Sequence, residues 1–265
     1  MSDRPLKLYW WNGSQNFGDA ISRSVVEYVS GRKVEWAEAR DCDLFAIGSI
    51  MIFARRAHTT PRGGETPWVW GSGVIGPQRV DFTDNVRFAS VRGPMTTDQL
   101  GLDCWAFGDP GLLISDVIGP VSDRTGKIGV VPHHGHADAK WLKDLLEGDE
   151  RFDLISPADE DPHEVVRRIA GCSYILSSSL HGLITADSYG IPNTWLTPKF
   201  NHRTPHFKFF DYALSVGRRL EKPVEYRDLI AFAESLNGPA IGYQEGIDAA
   251  KASARASFPS ELAAA

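Results

Sequence analysis

Ser177-Ser178-Ser179-Leu180-His181-Gly182 sets three hydroxyls and an imidazole between the apolar run 174–176 and a helical stretch closing at Gly190-Ile191-Pro192. The pattern predicts a buried strand, a tight polar turn and a helix start. Backbone N–H groups in a first helical turn have no intrahelical acceptor, so such a turn suits an anion. A histidine at that point can touch the anion and also carry a proton. The chemistry indicated is proton transfer on a phosphorylated or carboxylated small molecule. A histidine merely satisfied in a core or at a surface is the competing reading, and the preceding serines weigh against it.

Other candidates fall at similar places. In Asn16-Phe17-Gly18-Asp19, Asn16 and the N–H groups near Gly18 are positioned to line a cleft, while Asp19 can equally cap the following helix. Arg92 ends the apolar run 86–91 and precedes Gly93-Pro94. It suits bidentate binding of a carboxylate or phosphate, or else a surface pair with Asp98 or Asp103. Gly71-Ser72-Gly73 admits close backbone approach or is a plain tight turn, as Gly108-Asp109-Pro110-Gly111 is. His133-His134-Gly135-His136 raises a metal site, but three ligands so close in sequence rarely share one tetrahedral ion, which favours a polar cleft-lining loop. Lys199 is a compact charge for a phosphate or a solvated loop residue. Among the eight tryptophans, some can stack on sugar rings, and strand positions favour the core for most.

The elements that must position these groups alternate. Strands are expected over 6–11, 44–47, 68–70, 86–91 and 105–107, with helices over 19–30 and 94–100. Residues 108–127 are rich in Gly, Pro, Ser and Asp and read as a linker. The rhythm then restarts, with strands over 128–131, 152–155, 174–176 and 194–196 and helices over 138–146, 163–170 and 181–189. Helices are expected at 226–236 and 244–256, with a frayed tail from Ser257. The expected class is α/β, two doubly wound, Rossmann-like domains facing a shared cleft at the carboxyl ends of their strands. Residues 1–118 form the first domain, 119–245 the second, and 246–265 a terminal helix and tail.

Composition narrows the function. The 265 residues, 42% hydrophobic and 23% charged, belong to a soluble globular protein with a sizeable core. A net charge of −6 argues against nucleic acid as partner. Cys42, Cys104 and Cys172 are scattered and read as buried reduced thiols. No run approaches the ~18 apolar residues of a membrane span and no signal core opens the chain, so a cytoplasmic protein is expected.

Taken together, Asn16-Phe17-Gly18-Asp19, Gly71-Ser72-Gly73, Ser90-Val91-Arg92-Gly93-Pro94, Gly108-Asp109-Pro110, Ser178-Ser179-Leu180-His181-Gly182 and Tyr189-Gly190-Ile191-Pro192 run in one order across residues 6–200. The ordered set resembles the polysaccharide pyruvyl transferase family, in particular its bacterial exopolysaccharide branch. The resemblance implies a fold similar to GT-B glycosyltransferases. It also implies transfer of pyruvate from phosphoenolpyruvate (PEP) to two hydroxyls of a sugar in a polysaccharide or its lipid-linked precursor, forming a ketal. Implied catalytic residues are His181 and Arg92. Implied substrate-binding residues are Asn16, Asp19, Gly71, Ser72, Ser178, Ser179 and Lys199, with no metal and no cofactor beyond PEP as donor. A lipid-linked acceptor implies peripheral association with the inner face of the cytoplasmic membrane. One departure stands out: many relatives carry Arg-Leu-His where this chain has Ser179-Leu180-His181. One phosphate-binding charge is therefore missing or supplied elsewhere, with Arg203 and Lys208 the candidates. Two rivals are carried forward. One is a GT-B glycosyltransferase using a nucleotide sugar, with Asp187 the acid for its ribose. The other is a catalytically silent sugar-binding protein on the same scaffold.

Overall fold

The computed structural model describes residues 4–122, 124–198, 203–237 and 240–264. Its first half holds β1 (Leu6–Tyr9), β2 (Val34–Trp36), β3 (Leu44–Phe45), β4 (Trp68–Trp70) and β5 (Arg87–Ser90) in one sheet of order β2-β1-β3-β4-β5. Every pairing in it is parallel. The second half holds β6 (Ile128–Val131), β7 (Phe152–Leu154), β8 (Tyr174–Ser177) and β9 (Asn193–Trp195), also parallel, in the order β7-β6-β8-β9. Parallel sheets are covered on both faces, which explains why their strands read as apolar runs and not as alternating ones.

The helices supply that cover. They are α1 (Phe17–Ser30), α2 (Met51–His58), α3 (Pro94–Leu100), α4 (Ile114–Ile118), α5 (Lys140–Leu146), α6 (Pro162–Gly171), α7 (Leu180–Ser188), α8 (Phe207–Ser215), α9 (Leu229–Glu234) and α10 (Gln244–Ala256). In α1, Ile21, Val25 and Val26 form the buried stripe, and Gly31 stops the helix at φ 66° while its N–H bonds the Glu27 carbonyl.

Both strand orders reverse once, beside β1 in the first sheet and beside β6 in the second. Ligands of open α/β sheets bind at such switch points, outside the carboxyl ends of the strands. The loops that begin after β1, β3, β6 and β8 therefore carry the site. They hold Asn16, Gly48-Ser49, His133-His134 and Ser178-Ser179 respectively.

The halves are joined more closely than by a linker. Val25 of α1 and Val165, Val166 and Ile169 of α6 belong to one continuous core. The Phe17 N–H donates to the Pro157 carbonyl (2.8 Å) and Ser24 Oγ meets His163 Nε2 (2.7 Å). Residues expected to form a linker are partly core: Pro110–Leu113 make a buried 3-10 turn that leads into α4. The tail is not frayed either. Leu262 is buried and the Ala264 N–H bonds the Ser30 carbonyl (2.7 Å). The strand expected at 105–107 reduces to a single bridge between Val91 and Phe107.

Four elements went unforeseen: β2, α2, α4 and α8. Helix α8 matters most, because it leaves the second half and packs on α3 of the first. Asp211 anchors it there. Its carboxylate accepts the Thr96 N–H (2.9 Å), the Thr96 hydroxyl (2.7 Å) and the Arg92 Nε–H (2.9 Å). Gly93 permits the approach, since a Cβ there would run into the Asp211 carbonyl. Asp211 and Arg92 are both fully buried. Removing one member of such a pair strands the other's charge, at ~3–5 kcal/mol. Asp211→Ala is therefore expected to lose stability of that order in urea unfolding; a midpoint shift worth less than ~1 kcal/mol would contradict this role.

Candidate active site

Helix α7 begins at Leu180 because Ser177-Ser178-Ser179 turn the chain at the end of β8. Ser177 Oγ accepts the Ser179 N–H (3.0 Å) and donates to the Val131 carbonyl (2.9 Å), so one of the turn's donors is already spent inside the protein. Ser178 Oγ accepts the His133 N–H (2.9 Å) and is hydrogen-bonded with Tyr226 Oη (2.7 Å). Both Ser178 and Ser179 are buried, and Ser178 joins the loops after β6 and β8.

His181 points from the start of α7 towards the start of α1. A Cβ on Gly18 would fall on its ring, so the glycine is there because the imidazole fills that space. His181 is buried and its Nε2 has no hydrogen-bond partner among the described residues. Burial pulls its imidazole down to about 3, assisted by the Lys208 and Arg92 charges, so the ring is neutral near pH 7.

Asp19, on the first turn of α1, is the acid of the site. Asn16 Nδ2 donates to its Oδ2 at 2.6 Å. Burial raises the carboxyl to about 7, against the Asn16 bond and the Lys208 charge, which favour ionisation. Asp109 is a second buried acid. Its Oδ1 accepts the Gly111 N–H (2.9 Å), while its Oδ2 is buried without a partner among the described residues. Burial raises it to about 6. In sequence, Gly108-Asp109-Pro110-Gly111 has the look of a structural turn. Its signal was an acid placed at a Gly-Pro turn that follows a strand-like run.

Lys208, on the first turn of α8, supplies the cation. It is near enough to His181, Asp19, His133 and His134 to shift all of them. Burial lowers its own ammonium to about 8, which leaves it mostly charged at neutral pH. Arg203 is exposed. Of the two candidate cations, Lys208 is the one whose charge acts on His181 and Asp19.

The remaining expected residues take other parts. Arg92 does not pair with Asp98 or Asp103. Its NH1 donates to Ser49 Oγ (2.6 Å), its NH2 to the Val74 carbonyl (2.7 Å) and its Nε to Asp211. Its charge reaches the site through its effect on His181 and Asp109. Gly71, at φ 74°, lies against Pro110, and the buried Ser72 hydroxyl donates to the Gly48 carbonyl (2.9 Å). Lys199 lies outside the described residues. The His133 and His134 rings meet tilted at 36° with centroids 4.1 Å apart, and burial with the Lys208 charge pulls His133 down to about 3. No group of three or more His, Cys, Asp or Glu side chains suited to a metal occurs among the described residues. All three cysteines are free and buried.

Asp187, the candidate for a ribose, is occupied within the fold. It accepts from Tyr212 Oη (2.7 Å), Tyr243 Oη (2.7 Å) and Asn193 Nδ2 (2.6 Å).

Comparison with known proteins follows the same line. Residues 4–199 match the family of polysaccharide pyruvyl transferases. The succinoglycan biosynthesis protein ExoV of Rhizobium meliloti is 26% identical over 220 residues, 80% of this chain and 65% of that protein. The uncharacterized protein L143 of Acanthamoeba polyphaga mimivirus is 33% identical over 135 residues, 49% of this chain and 46% of that protein. The matches thus span about half to two thirds of these relatives' own length. Among solved structures, an uncharacterized protein of Klebsiella pneumoniae aligns at TM-score 0.47 and 11% identity, covering 83% of this chain and 92% of its own. The wall teichoic acid polymerase TagF aligns at TM-score 0.48 and 11% identity, covering 97% and 85%.

The raised Asp19 carboxyl has a consequence for stability. Between pH ~4 and ~7 the folded protein keeps a proton there that the unfolded chain has released, so this group makes stability fall as pH rises. Asp19→Asn removes that contribution. Relative to wild type, the variant is expected to gain stability across that window by up to ~1.4 kcal/mol per pH unit. Urea midpoints that stay parallel from pH 4 to 7 would refute the raised value.

Proposed function

Because the chain belongs to the polysaccharide pyruvyl transferase family, we propose that it transfers pyruvate from PEP onto two hydroxyls of a sugar. The acceptor would be a polysaccharide or its lipid-linked precursor, and the product a cyclic ketal on a GT-B-like scaffold. The observation that carries this reading is the grouping of Lys208, Asp19 and His181 where the switch points of two parallel sheets meet. A trianionic donor needs a cation, and its enol needs both an acid and a base.

In this scheme Lys208 holds the phosphate, and the buried Arg92 adds positive potential behind it. Neutral His181 takes the proton of the first attacking hydroxyl, whose oxygen bonds C2 of PEP. Asp19, protonated at or below neutrality, delivers its proton to C3. The tetrahedral phospho-ketal then breaks its C2–O bond to phosphate, which leaves with the proton held on His181. The second hydroxyl attacks C2 and gives its proton to the Asp19 carboxylate. Both residues return to their starting states, and PEP plus a diol becomes ketal plus phosphate. The occupied state of Asp187 weighs against the nucleotide-sugar rival, which would need that carboxylate for a ribose. No helix among the described residues is long and apolar enough to cross a membrane. A lipid-linked acceptor would therefore have to bring the protein to the inner membrane face.

The test is phosphate release from PEP with a panel of glycan acceptors, with mass spectrometry for the ketal. Release of a nucleoside diphosphate from a sugar nucleotide in its place would overturn the reading. His181→Ala is expected to lower kcat by ~10²–10⁴-fold; near-wild-type turnover would remove it from the chemistry. Lys208→Met is expected to raise KM for PEP at least ~10-fold, as loss of a charge-assisted contact does. An unchanged KM would assign the phosphate to another cation.

A further inference from the structure

Beside Asn16, a separate cavity of about 190 Å³ opens at the mouth of the site. Trp11, Asn12, Gln15 and Asn16 line it from the first half, and Asp159 and Glu160 line it from the second. We propose that this cavity is the acceptor subsite and binds one neutral pyranose ring. The assignment rests on the pyruvyl-transfer reading and adds to it where the sugar sits and what recognises it.

Shape comes first. The volume is below the ~300 Å³ lower end of pockets for drug-sized ligands, which suits a single ring. Trp11 is the platform. It is 37% exposed although large and aromatic, and it is held in place on several sides. Its ring stacks on Phe53 at 5.1 Å with 25° between planes, and its Nε1 donates to Ser14 Oγ (3.2 Å). The backbone at Gly13 approaches so closely that a Cβ would strike the indole. A tryptophan fixed in this way loses little entropy when the C–H face of a pyranose packs on it. The amides of Asn12 and Gln15 and the carboxylates of Asp159 and Glu160 are the partners that ring hydroxyls require.

Charge separates this subsite from its neighbour. Lys208 and Arg92 both act on His181, and Lys208 also acts on Asp19. The cavity brings two carboxylates and no Lys or Arg among its lining residues. An acidic wall accepts hydrogen bonds from neutral hydroxyls and repels phosphate, so a nucleotide is disfavoured here. Asn16 links the two subsites, since it lines the cavity and bonds Asp19 at 2.6 Å. A ring on Trp11 would thus have its hydroxyls beside the acid that handles their protons. The N–H of Phe17, a lining residue, bonds the Pro157 carbonyl, which ties the two halves together beside the cavity.

Binding can be read without turnover. Saturation-transfer NMR on the full chain with methyl β-D-glucopyranoside, methyl β-D-galactopyranoside and methyl β-D-mannopyranoside is expected to show ring protons of at least one in contact with the protein. Trp11→Ala should weaken that binding ~10-fold, the worth of one aromatic contact. Asp159→Asn and Glu160→Gln, both at exposed positions, should each weaken it and serve if Trp11→Ala fails to fold. Any acceptor turned over with PEP should show a raised KM in these variants while KM for PEP stays unchanged. The proposal is overturned if none of the glycosides binds, if the three variants bind as wild type does, or if uridine monophosphate occupies the cavity in their place. Glycoside binding lost with Trp11, in a protein that never releases phosphate from PEP, would sink pyruvyl transfer and leave a sugar site standing.

Discussion

A single buried carboxylate, that of Asp211, decides where the cation of the site stands. It takes α8 away from the half that precedes it in the chain and clamps it to α3 through Thr96 and Arg92. Lys208 lies three residues earlier on the same helix, hence on the same side as Asp211. Two fully buried charges are costly to desolvate, and this pair offsets the cost by hydrogen-bonding to Thr96, Ser49 and the Val74 carbonyl. Hydrophobic packing alone would tolerate α8 sliding or rotating. A paired carboxylate with a bonded hydroxyl and amide tolerates neither, which gives the ammonium a defined place.

Around that ammonium the titratable groups are held away from their ordinary charge states. A neutral imidazole, carboxyls biased towards the acid form and a lysine with a weakened grip on its proton all follow mainly from burial. The set is poised for an anion. A multiply charged ligand would stabilise protonated Lys208 and favour protonation of His181, reversing part of the desolvation. Under the proposed function, proton affinities would therefore move when PEP binds, in the direction that phosphate departure needs. His181 Nε2 and Asp109 Oδ2 are buried without partners among the described residues.

Much of this was legible in the residues, and the limits have physical causes. Apolar runs ending in Gly or Ser marked most strands, and helices with clear stops, such as α3 and α10, were bounded correctly. The serine turn with His181 and the Asn16-to-Asp19 segment were recognisable because local spacing sets their geometry. Helix α8 was missed because its aromatic start hides the helical period. Its role was also out of reach, since Arg92 and Asp211 are 119 positions apart. For the same reason Lys208 could be named only as one of two replacements for the absent arginine. Asp109 and the supposed linker looked like turn chemistry, and only their burial shows otherwise. Strand position favours the core for most of the tryptophans, whereas Trp11 is exposed because the strand ends before it.

The docked tail also bears on the order of folding. Trp70 Nε1 donates to the Ala254 carbonyl across 184 positions, and Phe258 packs edge-on against the Trp70 ring at 5.0 Å. The first sheet is thus sealed by residues that leave the ribosome long after its strands do. A chain emerging amino end first must hold that sheet unfinished, with its tryptophan uncovered, until the second sheet has been made. Such distant closure slows folding and lengthens the exposure of apolar surface. Assembly of this protein therefore depends on its slowest contact, and a nascent first half on its own is a natural client for chaperones.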